Sequence, residues 1–181
     1  MSTLQERLDV WRRTKNWVAL GNLGEQVTMR LLESLDYTVL GTQDDYVGMV
    51  PDVLGEGVRA HPEDFLVIGP DSRLMTVNSK ASASPRTCRF TANGDLTTPR
   101  LAHGQGTTAY STLRGNLVSP LDGNTYAQVV KVDLVHLKAQ IFEIDEVGKL
   151  SAVGTTPYDI DHLVVDVLAE HPADMPPPSV R

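Results

Sequence analysis

Three polar side chains could take part in metal-assisted chemistry if the fold brings them together: Asp64, Asn78 and Lys80. Asp64 directly precedes an apolar run at residues 65–68, and Asn78 and Lys80 stand near the end of the next apolar segment. Carboxylate and amide oxygens suit a hard cation such as Mg²⁺, and an ammonium group beside them suits a reacting group that gains negative charge. Each residue alone is a weak signal, because a charged residue at a strand end is usually solvated surface.

A hairpin of two short strands would bring the three side chains together. Residues 65–68 are apolar, the predicted strand at 73–80 contains the apolar or β-branched run Leu-Met-Thr-Val at 74–77, and Gly-Pro-Asp-Ser at 69–72 is a turn sequence. The far ends of two antiparallel strands lie side by side, so we expect Asp64 next to residues 78–80. Side chains alternate along a strand, which places Asn78 and Lys80 on one face.

Glu25 is a fourth candidate, because it falls inside the apolar arc of a predicted helix. At ~100° per residue, Leu23, Val27 and Leu31 form one stripe, and Glu25 falls between Leu32 and Met29. An inward carboxylate is costly unless it is paired or binds a cation. The alternative is a glutamate in the first helical turns that interacts with the helix dipole.

The whole pattern predicts one α/β domain over residues 1–171, with no internal repeat and no linker. Residues 81–106 form a long polar stretch of the kind that is usually functional or mobile. Lys131 and Asp133 are expected on a surface face of a later strand, and Trp11 and Trp17 in the helical layer. The predicted elements are helices at 1–15, 20–36, around 110–117 and from 156, strands at 37–40, 65–68, 73–80, 127–135, 139–145 and 150–153, and a disordered Pro-rich tail at 172–181.

In their order along the chain, these motifs resemble the PD-(D/E)XK nuclease superfamily. The resemblance covers Leu-Gly-Asn-Leu-Gly-Glu at 20–25, Glu-Asp-Phe-Leu-Val-Ile at 63–68 and Val-Asn-Ser-Lys at 77–80, within the first half of the chain. It implies a restriction-endonuclease-like fold, with a central mixed β-sheet flanked by helices. It also implies a DNA endonuclease that uses Mg²⁺ or Mn²⁺ to hydrolyse phosphodiester bonds, in defence or in the processing of foreign DNA.

The resemblance assigns roles residue by residue. Asp64 would be the central metal ligand, with Asn78 in the second acidic position and the Ser79 backbone carbonyl as a further ligand. Glu25 would be the helix acid, acting through a water, and Lys80 would orient or deprotonate the attacking water. Asn78 departs from the family, because its amide oxygen can ligate a metal but brings no charge.

A second aspartate, Asp52, is an alternative metal ligand. Pro51-Asp52 matches the literal "PD" of the motif better than Glu63-Asp64 does. We prefer Asp64, because it precedes an apolar strand one hairpin away from Lys80, whereas Gly-Glu-Gly at 55–57 would break a strand after Asp52.

Charge is strongly segregated along this chain of net charge −7. Acidic residues dominate residues 41–71 and 133–174. A protein partner that binds the acidic C-terminal half is therefore also possible. Residues 73–114 carry six basic side chains against Asp95 alone. A local basic stretch can bind phosphates in an acidic protein, since salt screens charges beyond ~10 Å. The residues expected to contact DNA are Arg86, Arg89, Arg100 and Arg114.

Other classes of protein fit the sequence less well. One cysteine, Cys88, excludes an internal disulfide and is typical of a reducing cytoplasm, and no secretory signal or long apolar run indicates a membrane. The five histidines lack zinc-binding spacing, and no nucleophile elbow or dinucleotide fingerprint is present. Two readings besides the enzyme stay open: a catalytically degenerate module that binds DNA or a protein partner, and a nuclease subunit or toxin. A homodimer also stays open.

Overall fold

Three helices of the α/β fold lie in the part of the chain that the structure describes. The structure is a computed structural model and describes residues 2–42, 64–101, 119–124, 126–145, 147–154 and 156–180. The helices are α1 (Leu4–Thr14), α2 (Trp17–Ser34) and α3 (Asp161–Glu170). Within these ranges no helix is long and apolar enough to cross a membrane.

The helix ends follow from their capping residues. Thr3 and Glu6 form a capping box at the start of α1, with the Thr3 hydroxyl and the Glu6 carboxylate each accepting from the other's backbone N–H. Lys15 then takes a left-handed conformation with φ 55°, which ends α1. Asn16 caps α2 one residue later by accepting from the Ala19 N–H. The capping residues therefore divide residues 4–34 into two helices.

In the described ranges, seven strands form one mixed sheet. Its order is β1-β2-β3-β4-β5-β6, with β7 pairing with β5. The β3–β4 pair is parallel, and the other neighbouring pairs are antiparallel. The strands are β1 (Thr38–Thr42), β2 (Phe65–Ile68), β3 (Leu74–Ser82), β4 (Ala127–Asp133), β5 (Lys138–Ile144), β6 (Leu150–Ala152) and β7 (Tyr158–Asp159).

Helix α2 packs against β3 on one face of the sheet. Its apolar stripe, which includes Leu23, Val27 and Leu31, joins Phe65 and Val77 in the main core. The approach is close at Gly24, where a Cβ would lie 2.4 Å from the Cβ of Ala81. One turn later the hydroxyl oxygens of Thr28 and Ser79 lie 2.8 Å apart. Side chains of odd-numbered β3 residues therefore face α2, and Asn78 and Lys80 face the other side.

The opposite face of β4 and β5 is covered by residues 83–101, which we call the arm. Phe90 and Leu96 form a bridge within the arm, and Leu96 is 1% exposed. The Leu96 N–H donates to Gln140, and the Lys131 ammonium donates to the carbonyls of Thr87 and Thr97. The segment expected to be a functional or mobile loop is thus fastened to the sheet. The prediction of a surface position for Lys131 and Asp133 was wrong, because the arm buries both side chains.

Two further predictions differ from the structure near the C-terminus. The last helix begins at Asp161 instead of 156, because Tyr158–Asp159 pair with β5 as β7. The tail was predicted to be disordered from residue 172, whereas the structure lays it along α2. There Asn22 and Gln26 donate to the carbonyls of Met175 and Pro176. These contacts give the extended tail backbone hydrogen-bond partners and bury Met175.

The other predicted elements agree with the structure to within a few residues, from α1 through the β2–β3 and β4–β5 hairpins to β6. The short helix predicted around 110–117 and most of the acidic loop at 41–63 lie outside the described residues.

Candidate functional site

Asp64 lies at the start of β2, beside the middle of β3. Phe65 pairs with Val77 in the antiparallel β2–β3 register, so Asp64 comes opposite Asn78. The Asp64 Oδ2 accepts a hydrogen bond of 2.6 Å from the backbone N–H of Ser79. The predicted hairpin therefore brings the carboxylate to residues 78–80, as the sequence led us to expect.

Asn78 and Lys80 share the sheet face that points away from α2. Asn78 is 3% exposed and pairs with Val129 in the β3–β4 register, and Lys80 pairs with Lys131. The positive charge of Lys80 acts on Asp64 and favours its ionised form. Aspartate, asparagine and lysine side chains thus belong to one neighbourhood, and Asn78 is its most buried member.

Burial raises the pKa of the Asp64 carboxyl above its ordinary value. The Ser79 N–H and the Lys80 charge act in the opposite direction and offset part of this rise. The buried anion is therefore incompletely compensated by the described residues. A divalent cation bound to the carboxylate would supply the missing charge.

The Ser79 carbonyl points to the same side of β3 as Asp64. Along a strand the N–H and C=O of one residue point in the same direction, and the Ser79 N–H already reaches Asp64. The Ser79 hydroxyl lies against Thr28 on α2, which fixes this residue between helix and strand. A carboxylate, an amide and a backbone carbonyl are hard oxygen donors, so these residues fit Mg²⁺ or Mn²⁺.

Glu25 stands on the α2 turn that meets this part of β3. It is half-buried and lies between Gly24, which abuts Ala81, and Thr28, which contacts Ser79. It therefore stands on the α2 side of the sheet, whereas Asn78 and Lys80 face the other side. Within the described ranges, no group of three or more His, Cys, Asp or Glu side chains is arranged to hold a metal ion.

The predicted DNA-contacting residues divide into two groups. Arg86, Arg89 and Arg100 are exposed and belong to the arm, which begins directly after β3. Arg114 lies outside the described residues, as does the alternative metal ligand Asp52. The structure thus places three basic side chains on one covering element, 6, 9 and 20 residues along the chain from Lys80.

A second polar cluster, which sequence reasoning missed, lies beyond the ends of β3 and β4. Asp133 is 0% exposed and lies 2.8 Å from the His136 Nδ1, while the backbone N–H groups of Val135 and His136 donate to its other oxygen. These hydrogen bonds lower the pKa of Asp133, although burial alone would raise it. The sequence signal for this cluster was an aspartate directly before a turn, because an aspartate side chain there commonly accepts hydrogen bonds from the next backbone N–H groups.

The two tryptophans occupy different environments. Trp11 is 8% exposed and packs in the core, as expected, whereas Trp17 is 58% exposed in the first turn of α2. The expectation for Trp17 was therefore wrong, because the helix begins at this residue and the apolar stripe begins only at Ala19.

Comparison of the chain with protein-family profiles, with curated proteins and with solved structures finds no significant match.

Proposed function

We propose that this protein is a metal-dependent DNA endonuclease that hydrolyses phosphodiester bonds. The observation that carries the proposal is the Asp64 carboxylate, which accepts from the Ser79 N–H on β3, the strand that also carries Asn78 and Lys80. The mixed sheet, with α2 packed on β3 next to this point, agrees with the restriction-endonuclease-like fold that the sequence resemblance implies.

Four residues have assigned roles in this proposal. The Asp64 carboxylate, the Asn78 amide oxygen and the Ser79 carbonyl would hold Mg²⁺ or Mn²⁺, with Glu25 acting through a water. When bound, the ion would stabilise charge on the phosphate and lower the pKa of the attacking water. Lys80 would orient that water, or as the neutral amine would take the proton that the water loses, and the resulting ammonium charge would favour the phosphorane-like transition state.

Basic side chains on the arm would hold the DNA. Arg86, Arg89 and Arg100 are exposed, and guanidinium groups bind phosphates through paired hydrogen bonds. The acidic residues of the C-terminal half belong to later elements, and salt screens their charge at a distance. The basic arm can therefore contact phosphates although the whole chain has a net charge of −7.

Plasmid cleavage tests the proposal. Wild type should nick or linearise supercoiled plasmid with Mg²⁺ or Mn²⁺ and should be inactive in EDTA. The variants Lys80→Ala and Asp64→Ala should each reduce the cleavage rate at least 100-fold, which is a typical loss for a catalytic group. Lys149→Ala and Asp166→Ala, which change exposed residues on other elements, are matched controls and should cleave like wild type. Equal cleavage by all five proteins would refute the assignment.

The buried Asn78 favours a second candidate, a nuclease-fold module that binds DNA or a protein partner without cutting. An amide that is 3% exposed has replaced the acid that the motif expects, and an amide brings no charge to a metal site. The variant Asn78→Asp separates the two functions. If Mn²⁺ binding and cleavage occur only in the variant, the natural protein is the binding module; if wild type already has both, it is the enzyme.

A further inference from the structure

An apolar pocket opens beside the carboxyl end of β3, on the side of the sheet that carries α1 and α2. Its volume is about 430 Å³. Leu8, Trp11, Trp17 and Leu20 line it from the helices, and residues 81–84 line it from β3 and the start of the arm. In the chain, the wall begins one residue after Lys80, whose own side chain faces the opposite side of the sheet, and residue 84 lies within ~13 Å of Lys80 along an extended chain.

Trp17 gives this pocket an accessible aromatic wall. Its side chain is 58% exposed although it is the largest apolar side chain available, whereas Trp11 in the same pocket is 8% exposed. An exposed aromatic side chain on the wall of a pocket offers a face on which a planar ring can stack. The pocket volume of about 430 Å³ falls in the range of sites that bind small molecules.

Two basic residues belong to the pocket or adjoin its lining in the chain. Arg12 lines the pocket and is held in place by hydrogen bonding to the Ala83 carbonyl and by an ion pair with Asp9 at 3.6 Å. Arg86 is exposed between Ser84 and Thr87, two residues that also line the pocket. An apolar slot for a ring, with guanidinium groups beside it for phosphates, matches a nucleotide of a single strand.

We propose that the Trp17 pocket binds an unpaired nucleobase of the substrate strand, so that the protein prefers single-stranded or frayed nucleic acid to blunt duplex. This inference rests on the proposed function, because it supplies the substrate class for the site at Lys80. The base would stack on Trp17, while Arg12 and Arg86 contact the phosphates that flank it.

Binding to fluorescein-labelled oligonucleotides in EDTA tests this inference, using a 12-nucleotide single strand and the blunt duplex of the same sequence. Trp17→Ala should weaken single-strand binding about tenfold, which is the effect expected from the loss of one stacked base. Its duplex affinity should stay within twofold of wild type. Trp17→Phe should recover most of the single-strand affinity, because phenylalanine keeps an aromatic face. Recovery would show that the loss in Trp17→Ala is not caused by a general folding defect.

Val18→Ala is the matched control. Val18 neighbours Trp17 on α2, is 71% exposed and does not line the pocket, so this variant should bind both probes like wild type. If Trp17→Ala binds the single strand as tightly as wild type while plasmid cleavage persists, the pocket proposal is overturned and the nuclease proposal stands. If wild type binds neither probe and cleaves no plasmid, both proposals are overturned.

Discussion

At the scale of single residues, the Asp64 carboxylate costs the fold stability and is also the proposed metal ligand. Its carboxylate is largely removed from water, and its pKa is raised by that burial. One strong hydrogen bond from the Ser79 N–H and the charge of Lys80 offset only part of the cost. A protein that needs no anion at this point would be more stable with a neutral side chain there.

Replacing Asp64 with Asn should therefore stabilise the protein at neutral pH in the absence of metal. Because the folded-state pKa of Asp64 is raised above the ordinary value of 3.8, the folded protein binds the proton more tightly, and the free energy of unfolding falls as pH rises through that pKa. Asn removes this titration and keeps an oxygen for the Ser79 N–H. Urea unfolding in EDTA should show Asp64→Asn more stable than wild type at pH 7.5. The difference should shrink as the pH is lowered through the raised pKa of Asp64 towards 3.8, and should stay constant below that value.

Divalent cation should reverse this order. A cation at 100 times its dissociation constant adds about 2.7 kcal/mol to the free energy of unfolding, and this gain should occur in wild type and not in Asp64→Asn. Asp166→Asn, a change of an exposed carboxylate on α3, is the control and should behave like wild type throughout. An Asp64→Asn variant that is less stable than wild type at pH 7.5 without metal would contradict this account of the site.

At the scale of elements, the site depends on how closely α2 approaches β3. Gly24 and Gly21 are both interior residues of α2, yet only Gly24 abuts the strand. A Cβ at Gly24 would lie 2.4 Å from the Ala81 Cβ, whereas a Cβ at Gly21 would meet no atom within 4 Å. Gly24 therefore sets the distance from Glu25 and Thr28 to Ser79.

The two glycines should respond oppositely to the same change. Gly21→Ala should stabilise the protein by up to about 1 kcal/mol, which is the helix-propensity difference. Gly24→Ala should destabilise it by roughly 1–3 kcal/mol, because the rigid Cβ overpacks against Ala81 and displaces α2, and plasmid cleavage should fall with it. Urea denaturation measures both effects, and adding Ala81→Gly to Gly24→Ala should restore stability. Equal stabilisation by the two alanines would show that the helix does not approach β3 this closely.

Local sequence patterns predicted the elements that carry the site. The burial of several side chains depends on long-range contacts, which local patterns do not predict. The β2–β3 hairpin was predictable because its strands and its turn are contiguous, and the adjacency of Asp64 and Asn78 followed from it. The burial of Lys131 was not predictable, because its ammonium bonds to Thr97, 34 residues away. Gln26 likewise lies on what the periodicity shows as a polar face of α2, and the tail 150 residues later covers it.

At the scale of the whole molecule, charge segregation reconciles the acidity of the protein with the nucleic-acid partner that we propose. The net charge is −7, yet residues 73–101 carry five basic side chains against one acid. The arm that bears Arg86, Arg89 and Arg100 is held to the sheet by Lys131 and Gln140, so the exposed guanidinium groups project from a fixed support. A fixed basic surface loses little conformational entropy when it binds phosphates.

Salt dependence of DNA binding tests the arm as the phosphate-binding element. Each of Arg86→Ala, Arg89→Ala and Arg100→Ala should lower the slope of log K against log salt concentration by ~0.9, the value for one duplex phosphate contact. Lys149→Ala removes an exposed cation remote from the arm in the chain and should leave the slope unchanged. Slopes that are identical in all four variants and wild type would place the DNA on another surface.

The central claim, that Asp64 and its neighbours on β3 form a divalent-cation site, is tested most directly by anomalous diffraction from crystals soaked in Mn²⁺. The account predicts an anomalous peak bonded to an Asp64 carboxylate oxygen and to the Ser79 carbonyl, next to the Asn78 amide, and no such peak in Asp64→Asn crystals. Two results would contradict the claim. One is an ion placed elsewhere in crystals of a wild-type protein that cleaves plasmid with Mn²⁺, and the other is a peak that remains in Asp64→Asn crystals.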